Sequence, residues 1–169
     1  WLLWIILGLG RQPESAASRG MKTAAWVFAG AVVLQVVYGA FVAGTRAGWL
    51  FSTFPDMDGA MIPEGIGLLG ARDAVDNPVT IHFIHRTLAW LLSAAAIGLY
   101  VFGRRNADPM LRRALNLMLG TVVLQMVLGA ATVMTKVTTW IAVAHQGVGF
   151  LLLSAAVFVI YATRGAPAR

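Results

Sequence analysis

Only three histidines occur in the 169 residues. His82 and His85 stand with Arg86 in "IHFIHRTLAWLL" at 81–92, the head of an apolar stretch, and His145 opens the last apolar stretch in "AHQGVGFLLL". An imidazole binds a metal or haem iron through one ring nitrogen while an acceptor holds the other. The chain has no cysteine, which removes disulfides, thiolate ligands and thiol nucleophiles together. A structural zinc takes four ligands and a catalytic zinc usually three, whereas two axial histidines complete a haem iron by themselves. Whether two of these histidines form such a pair depends on the elements that carry them.

Those elements are membrane helices. The chain is 59% hydrophobic and 12% charged, against roughly 25% charged in soluble domains. Four stretches, Thr23–Gly44, Val79–Gly103, Ala114–Thr135 and Thr138–Thr163, are long enough at ~1.5 Å per residue to cross a ~30 Å hydrocarbon core. Lipid offers the backbone no hydrogen bonds, so each is expected to be a helix. The opening "WLLWIILGLG" at 1–10 reads as the end of a truncated transmembrane helix, and residues 11–22 as a cytoplasmic linker. A four-helix membrane domain follows over 23–163, with a long outer loop at about 45–78 and a cytoplasmic tail at 164–169.

Orientation follows from the basic residues, which collect on the cytoplasmic side of short loops. Arg11, Arg19, Lys22, Arg104, Arg105, Arg112, Arg113, Arg164 and Arg169 lie on one side, nine of thirteen. Asp56, Asp58, Glu64, Asp73 and Asp76 lie in the long loop on the other. The net charge of +6 therefore reports topology, and a nucleic-acid partner is not expected.

The organisation is a repeat. "VVLQVVYGA" at 32–40 recurs as "VVLQMVLGA" at 122–130, and "FIHRTLAWLLSAA" aligns with "VAHQGVGFLLLSAA" if one residue is inserted. The fold class is thus an all-α integral membrane protein, a four-transmembrane-helix bundle of two repeated hairpins whose axis lies along the membrane normal. His85 and His145 become equivalent, both on the order of 10 Å below the outer boundary. A lone histidine in a membrane helix is often only an interhelical hydrogen bonder. A matched pair suits a flat cofactor held between hairpins, and small residues follow one turn on, at Ala89 and Gly149.

The runs "GAFVAGTRAGWLFSTFPDMDGAMIP" at 39–63, "NPVTIHFIHRTLAWLL" at 77–92, "LGAATVM" at 128–134 and "AHQGVGFLLL" at 144–153 resemble the C-terminal half of the haem A synthase family. The resemblance spans about residues 23 to 163. It implies an oxidoreductase of eight transmembrane helices that oxidises the C8 methyl of haem O to the formyl group of haem A. The N-terminal half would carry the catalytic site, and this half a b-type haem with His85 and His145 as axial ligands to its iron. The chain alone would then hold haem without converting haem O. Implied partners are the N-terminal half, haem O, a haem O synthase, an electron donor, the lipid bilayer and a second copy in a homo-oligomer. The implied location is the bacterial cytoplasmic membrane or the mitochondrial inner membrane.

His82 departs from the family, which commonly has glutamine or another residue there, and is expected to be an interfacial hydrogen bonder. Arg86 and Arg46, near outer helix ends, can pair with haem propionates or snorkel toward water. Gln35 and Gln125 can contact the cofactor or bond between helices. The outer loop reads as a cap over the cofactor mouth, or as a docking site for a donor or assembly partner. Met57, Met61, Met118 and Met126 need no cofactor to explain them. Two other classes compete with the oxidase: a membrane cytochrome b that only passes electrons, and a non-redox assembly module.

Overall fold

A computed structural model describes residues 2–10, 13 and 17–165. Trp1, Arg11, Arg169 and the positions of the linker and tail at 12, 14–16 and 166–168 lie outside the described residues. The helices are α1 (Leu2–Leu9), α2 (Arg19–Gly44), α3 (Asp73–Asp76), α4 (Pro78–Gly103), α5 (Pro109–Met134) and α6 (Thr139–Ala162), with short 3-10 turns between. α2, α4, α5 and α6 are each long and apolar enough to cross a membrane. The four apolar stretches are thus borne out as helices of a multi-pass integral membrane protein.

Two helices start earlier than their apolar runs, at Arg19 and Pro109, because polar caps begin them. The Ser18 hydroxyl accepts from the Met21 amide at 3.2 Å, and the Asp108 carboxylate from the Leu111 amide at 2.8 Å. Each satisfies one of the orphan donors of a first helical turn. Proline at the first position of α5 costs nothing there, since its missing N–H would have had no partner. α4 starts the same way: Pro78 leads, and Asn77 Oδ1 accepts from the Val79 amide at 3.0 Å.

The long helices contribute to two compact units. One comprises Trp1–Val32, Leu92–Val123 and Phe150–Arg169. Its hydrophobic core has Phe28, Val32, Ala96, Leu115, Met118 and Ala156 fully or nearly buried. α1 joins it through Trp4, whose ring meets Tyr161 edge-on at 5.4 Å and lies 4.0 Å beneath the Arg164 guanidinium.

The second unit, Val33–Leu91 and Leu124–Gly149, contains all three histidines and the outer connection. That connection is ordered around Asp73, which is 6% exposed. Gly65 and Gly67 take positive φ, and the reversal brings the Gly67 and Leu69 amides onto the Asp73 carboxylate at 2.8 and 3.1 Å. The Thr80 hydroxyl and the Asn77 amide, at 2.9 Å for the latter, donate to it as well. Thr80 first, with Asn77, Leu69 and Gly67, holds the carboxyl well below the usual carboxylate range against the opposing effect of burial. The carboxylate therefore stays ionised through the neutral range, and Asn77 Nδ2 extends the clamp to the Gly65 carbonyl at 2.7 Å.

Candidate functional site

His85 projects from α4 toward α2. The apolar run of α2 carries a glycine where the ring arrives: a Cβ on Gly39 would lie 3.3 Å from His85 Cε1 and 3.9 Å from Nδ1. α6 and α5 repeat the contact. A Cβ on Gly129 would lie 3.1 Å from His145 Cε1, 3.6 Å from Nδ1 and 3.8 Å from Nε2. Gly39 and Gly129 occupy the same place in the duplicated segment, so the repeat extends from the chain to the packing of its histidines.

Each ring lies with its Nδ1–Cε1 edge against a glycine. Both Nδ1 atoms are buried and without a hydrogen-bond partner, while the residues as a whole are half-buried. Gln35 Nε2 donates to the His85 carbonyl oxygen at 3.1 Å and lies 3.5 Å from His85 Nε2. Gln125 Nε2 lies 3.3 Å from where a Cβ on Gly149 would be. The Gln35 and Gln125 Oε1 atoms are also buried without partners.

His82 and Arg86 form a different constellation one turn apart on α4. Arg86 Nε donates to His82 Nε2 at 3.1 Å. Arginine only donates, so this nitrogen accepts and the neutral ring carries its proton on Nδ1. The guanidinium also donates to the carbonyls of Thr53 at 2.9 Å, Asp56 at 2.5 Å and, more weakly, Phe51 at 3.4 Å. Phe54 stacks on Trp90 at 5.7 Å, and Phe51 lies 5.9 Å from the His82 ring. Residues 51–56 are thereby laid along the outer part of α4. His82 is 2% exposed and is the hydrogen bonder its position suggests. Arg46 is not among these contacts; the residue is exposed and its backbone left-handed at φ 56°.

These donors match a two-ligand centre. Two half-buried imidazoles at matched places in the repeat, each with one ring edge against a glycine, match in number and type the axial ligation of a haem iron. Among the described residues no three histidine, aspartate or glutamate side chains gather where they could share one ion. Sequence reasoning missed Gly39 and Gly129 as site residues, although their matched places in the repeat were a visible signal. It also missed the loop carbonyls that engage Arg86.

The chain matches the model of a family described as "Cytochrome oxidase assembly protein" over residues 1–157. It is 39% identical over 167 residues to the Heme A synthase of Granulibacter bethesdensis, covering 98% of this chain and 44% of that protein. It is 38% identical over 163 residues to the Heme A synthase of a Methylobacterium species, strain 4-46, covering 92% and 45%. With the Heme A synthase of Wolbachia pipientis wMel it shares 34% identity over 131 residues, 76% of this chain and 36% of the relative. The chain thus spans less than half the length of these curated relatives. No solved structure matches it.

Proposed function

The chain belongs to the cytochrome oxidase assembly protein family, and from that premise we propose that it is the haem-holding half of a haem A synthase. The observation that carries this reading is the matched pair His85–Gly39 and His145–Gly129. His85 and His145 would hold the haem iron, and haem b, when bound, would supply one-electron transfer. The residues of this chain bind and orient it. The glycines admit the rings, and the Arg86 and Asp73 clamps hold the outer segment. Arg86 is committed to the loop, so its part at the site is to fix the cover rather than a propionate. Oxidation of haem O to haem A belongs to the whole protein, whose remaining half would hold the substrate.

The test is a reduced-minus-oxidised spectrum of the purified chain, with pyridine haemochrome analysis and chromatography of extracted haems after supplying haem O and reductant. The expected result is one low-spin haem b per chain and no formyl-bearing haem. A chain without haem, or one that accumulates haem A, defeats the reading.

The same reading places the arginine-bearing ends in the cytoplasm and the 45–78 connection outside, in a bacterial cytoplasmic or mitochondrial inner membrane. Leu68 is 77% exposed in that connection, whereas Ala107 on the opposite side is buried. The reporters are therefore Leu68→Cys and Arg105→Cys. In intact bacterial cells an impermeant thiol reagent should modify the first and spare the second; the reverse pattern inverts the topology.

A further inference from the structure

We infer that the glutamine–glycine turn repeated in α2 and α5, Gln35 with Gly39 and Gln125 with Gly129, positions the two axial histidines, and that its glycine confines the His145 ring more closely than the His85 ring. The inference rests on the haem reading above and goes beyond it in assigning roles to four residues that are not ligands.

Glycine inside a helix needs a reason, since it is less stable there than alanine by about 0.5–1 kcal/mol. Backbone conformation is not that reason, for neither Gly39 nor Gly129 has a positive φ. Nor is close approach of the helix backbones, because the nearest atoms to the missing methyl are imidazole atoms in both cases. At Gly30 and Gly120, on the same two helices, nothing lies within 4 Å of that position. The glycines at 39 and 129 are where the rings come in.

Gln35 and Gln125 lie one helical turn before these glycines, on the same face. The Gln35 amide donates across to the His85 main chain, which ties the ligand's own backbone to α2 and sets the depth of the ring along it. Gln125 reaches instead to Gly149, one turn past His145. The first hairpin has Ala89 at the corresponding place, and there the amide meets the opposite helix at the His85 carbonyl instead. With the shorter glycine contact at 3.1 Å against 3.3 Å, the second hairpin leaves its imidazole less room to rotate. Outer-shell partners that orient a ligating histidine commonly change metal affinity by ~10–100-fold when removed.

The test uses the membrane-expressed protein with Gly39→Ala, Gly129→Ala, Gln35→Leu and Gln125→Leu, and with Gly30→Ala and Gly120→Ala as controls. The readouts are the low-spin ferric electron paramagnetic resonance signal, which responds to imidazole orientation, and the midpoint potential of the haem. Both alanine variants at the ring contacts should retain haem with a displaced signal and potential, Gly129→Ala more than Gly39→Ala. The controls should match wild type, and Gln35→Leu should release haem about tenfold more readily. If Gly129→Ala does not accumulate, Gly39→Ala and Gln125→Leu carry the comparison. Haem-bearing variants with wild-type signal and potential overturn the inference while leaving the haem site intact. A wild-type protein without haem removes the haem reading itself, and this inference with it.

Discussion

Replacing His85 or His145 with alanine abolishes the low-spin haem spectrum of the purified protein, and His82→Gln leaves it in place. On the proposed reading, either alanine removes one of two axial bonds and lowers haem retention by more than the ~100-fold upper range seen for outer-shell partners. The residual single ligand cannot give a bis-imidazole spectrum. Alanine opposite Gly39 or Gly129 also leaves space where the ring lay, so added imidazole should partly restore the signal. His82→Gln is the informative control because His82 is more deeply buried than either ligand, yet its role is to accept from Arg86. A glutamine carbonyl can accept the same bond. Absorbance and haemochrome measurements on the three variants decide the matter. Loss in His82→Gln with retention in His85→Ala would reverse the assignment.

Arg86→Leu opens the outer segment at residues 51–58 without removing an iron ligand. The substitution takes the donor away from His82 Nε2 and from the carbonyls of Thr53 and Asp56, and breaks the weaker bond to the Phe51 carbonyl. A buried acceptor left unmet costs about 1–3 kcal/mol. Thr53 is exposed, so water replaces its donor, and the total for local opening is about 2–4 kcal/mol. Arg86→Lys should rescue little, because an ammonium lacks the planar fork that serves several carbonyls at once. Hydrogen exchange at the Met57 and Asp58 amides is the measurement, with exchange accelerated roughly 100-fold. Unchanged loop protection together with haem loss would return Arg86 to the propionate role that its place near the helix end first suggested.

The membrane spans were legible because lipid leaves an apolar segment of that length one choice of backbone. The equivalence of His85 and His145 was legible too, since duplication wrote it into two similar segments. What the rings touch was harder to read. Gly39 and His85 are far apart in the chain and belong to the two opposite helices of a hairpin whose register no local pattern states. The same holds for Arg86 and the carbonyls of Thr53 and Asp56: main-chain acceptors carry no residue-type signal, so an arginine bound for them looks like any arginine at a membrane surface. Asp73 was visible only as one of five loop acids, because its distinction lies in donors that converge through the turns at Gly65 and Gly67.

The unequal connections of the two hairpins bear on how the chain assembles. α5 and α6 are joined by residues 135–138, and α2 and α4 by residues 45–77. Bringing the ends of a chain together loses entropy as the logarithm of its length, which for a connection roughly eight times longer amounts to about 1–2 kcal/mol. The hairpin of His145 thus closes at low entropic cost, whereas that of His85 closes against a larger one that the Asp73 and Arg86 bonds offset only once the long connection is ordered. Folding of the outer connection and presentation of the second imidazole are thereby coupled, and a chain caught before that step offers one ligand, not two.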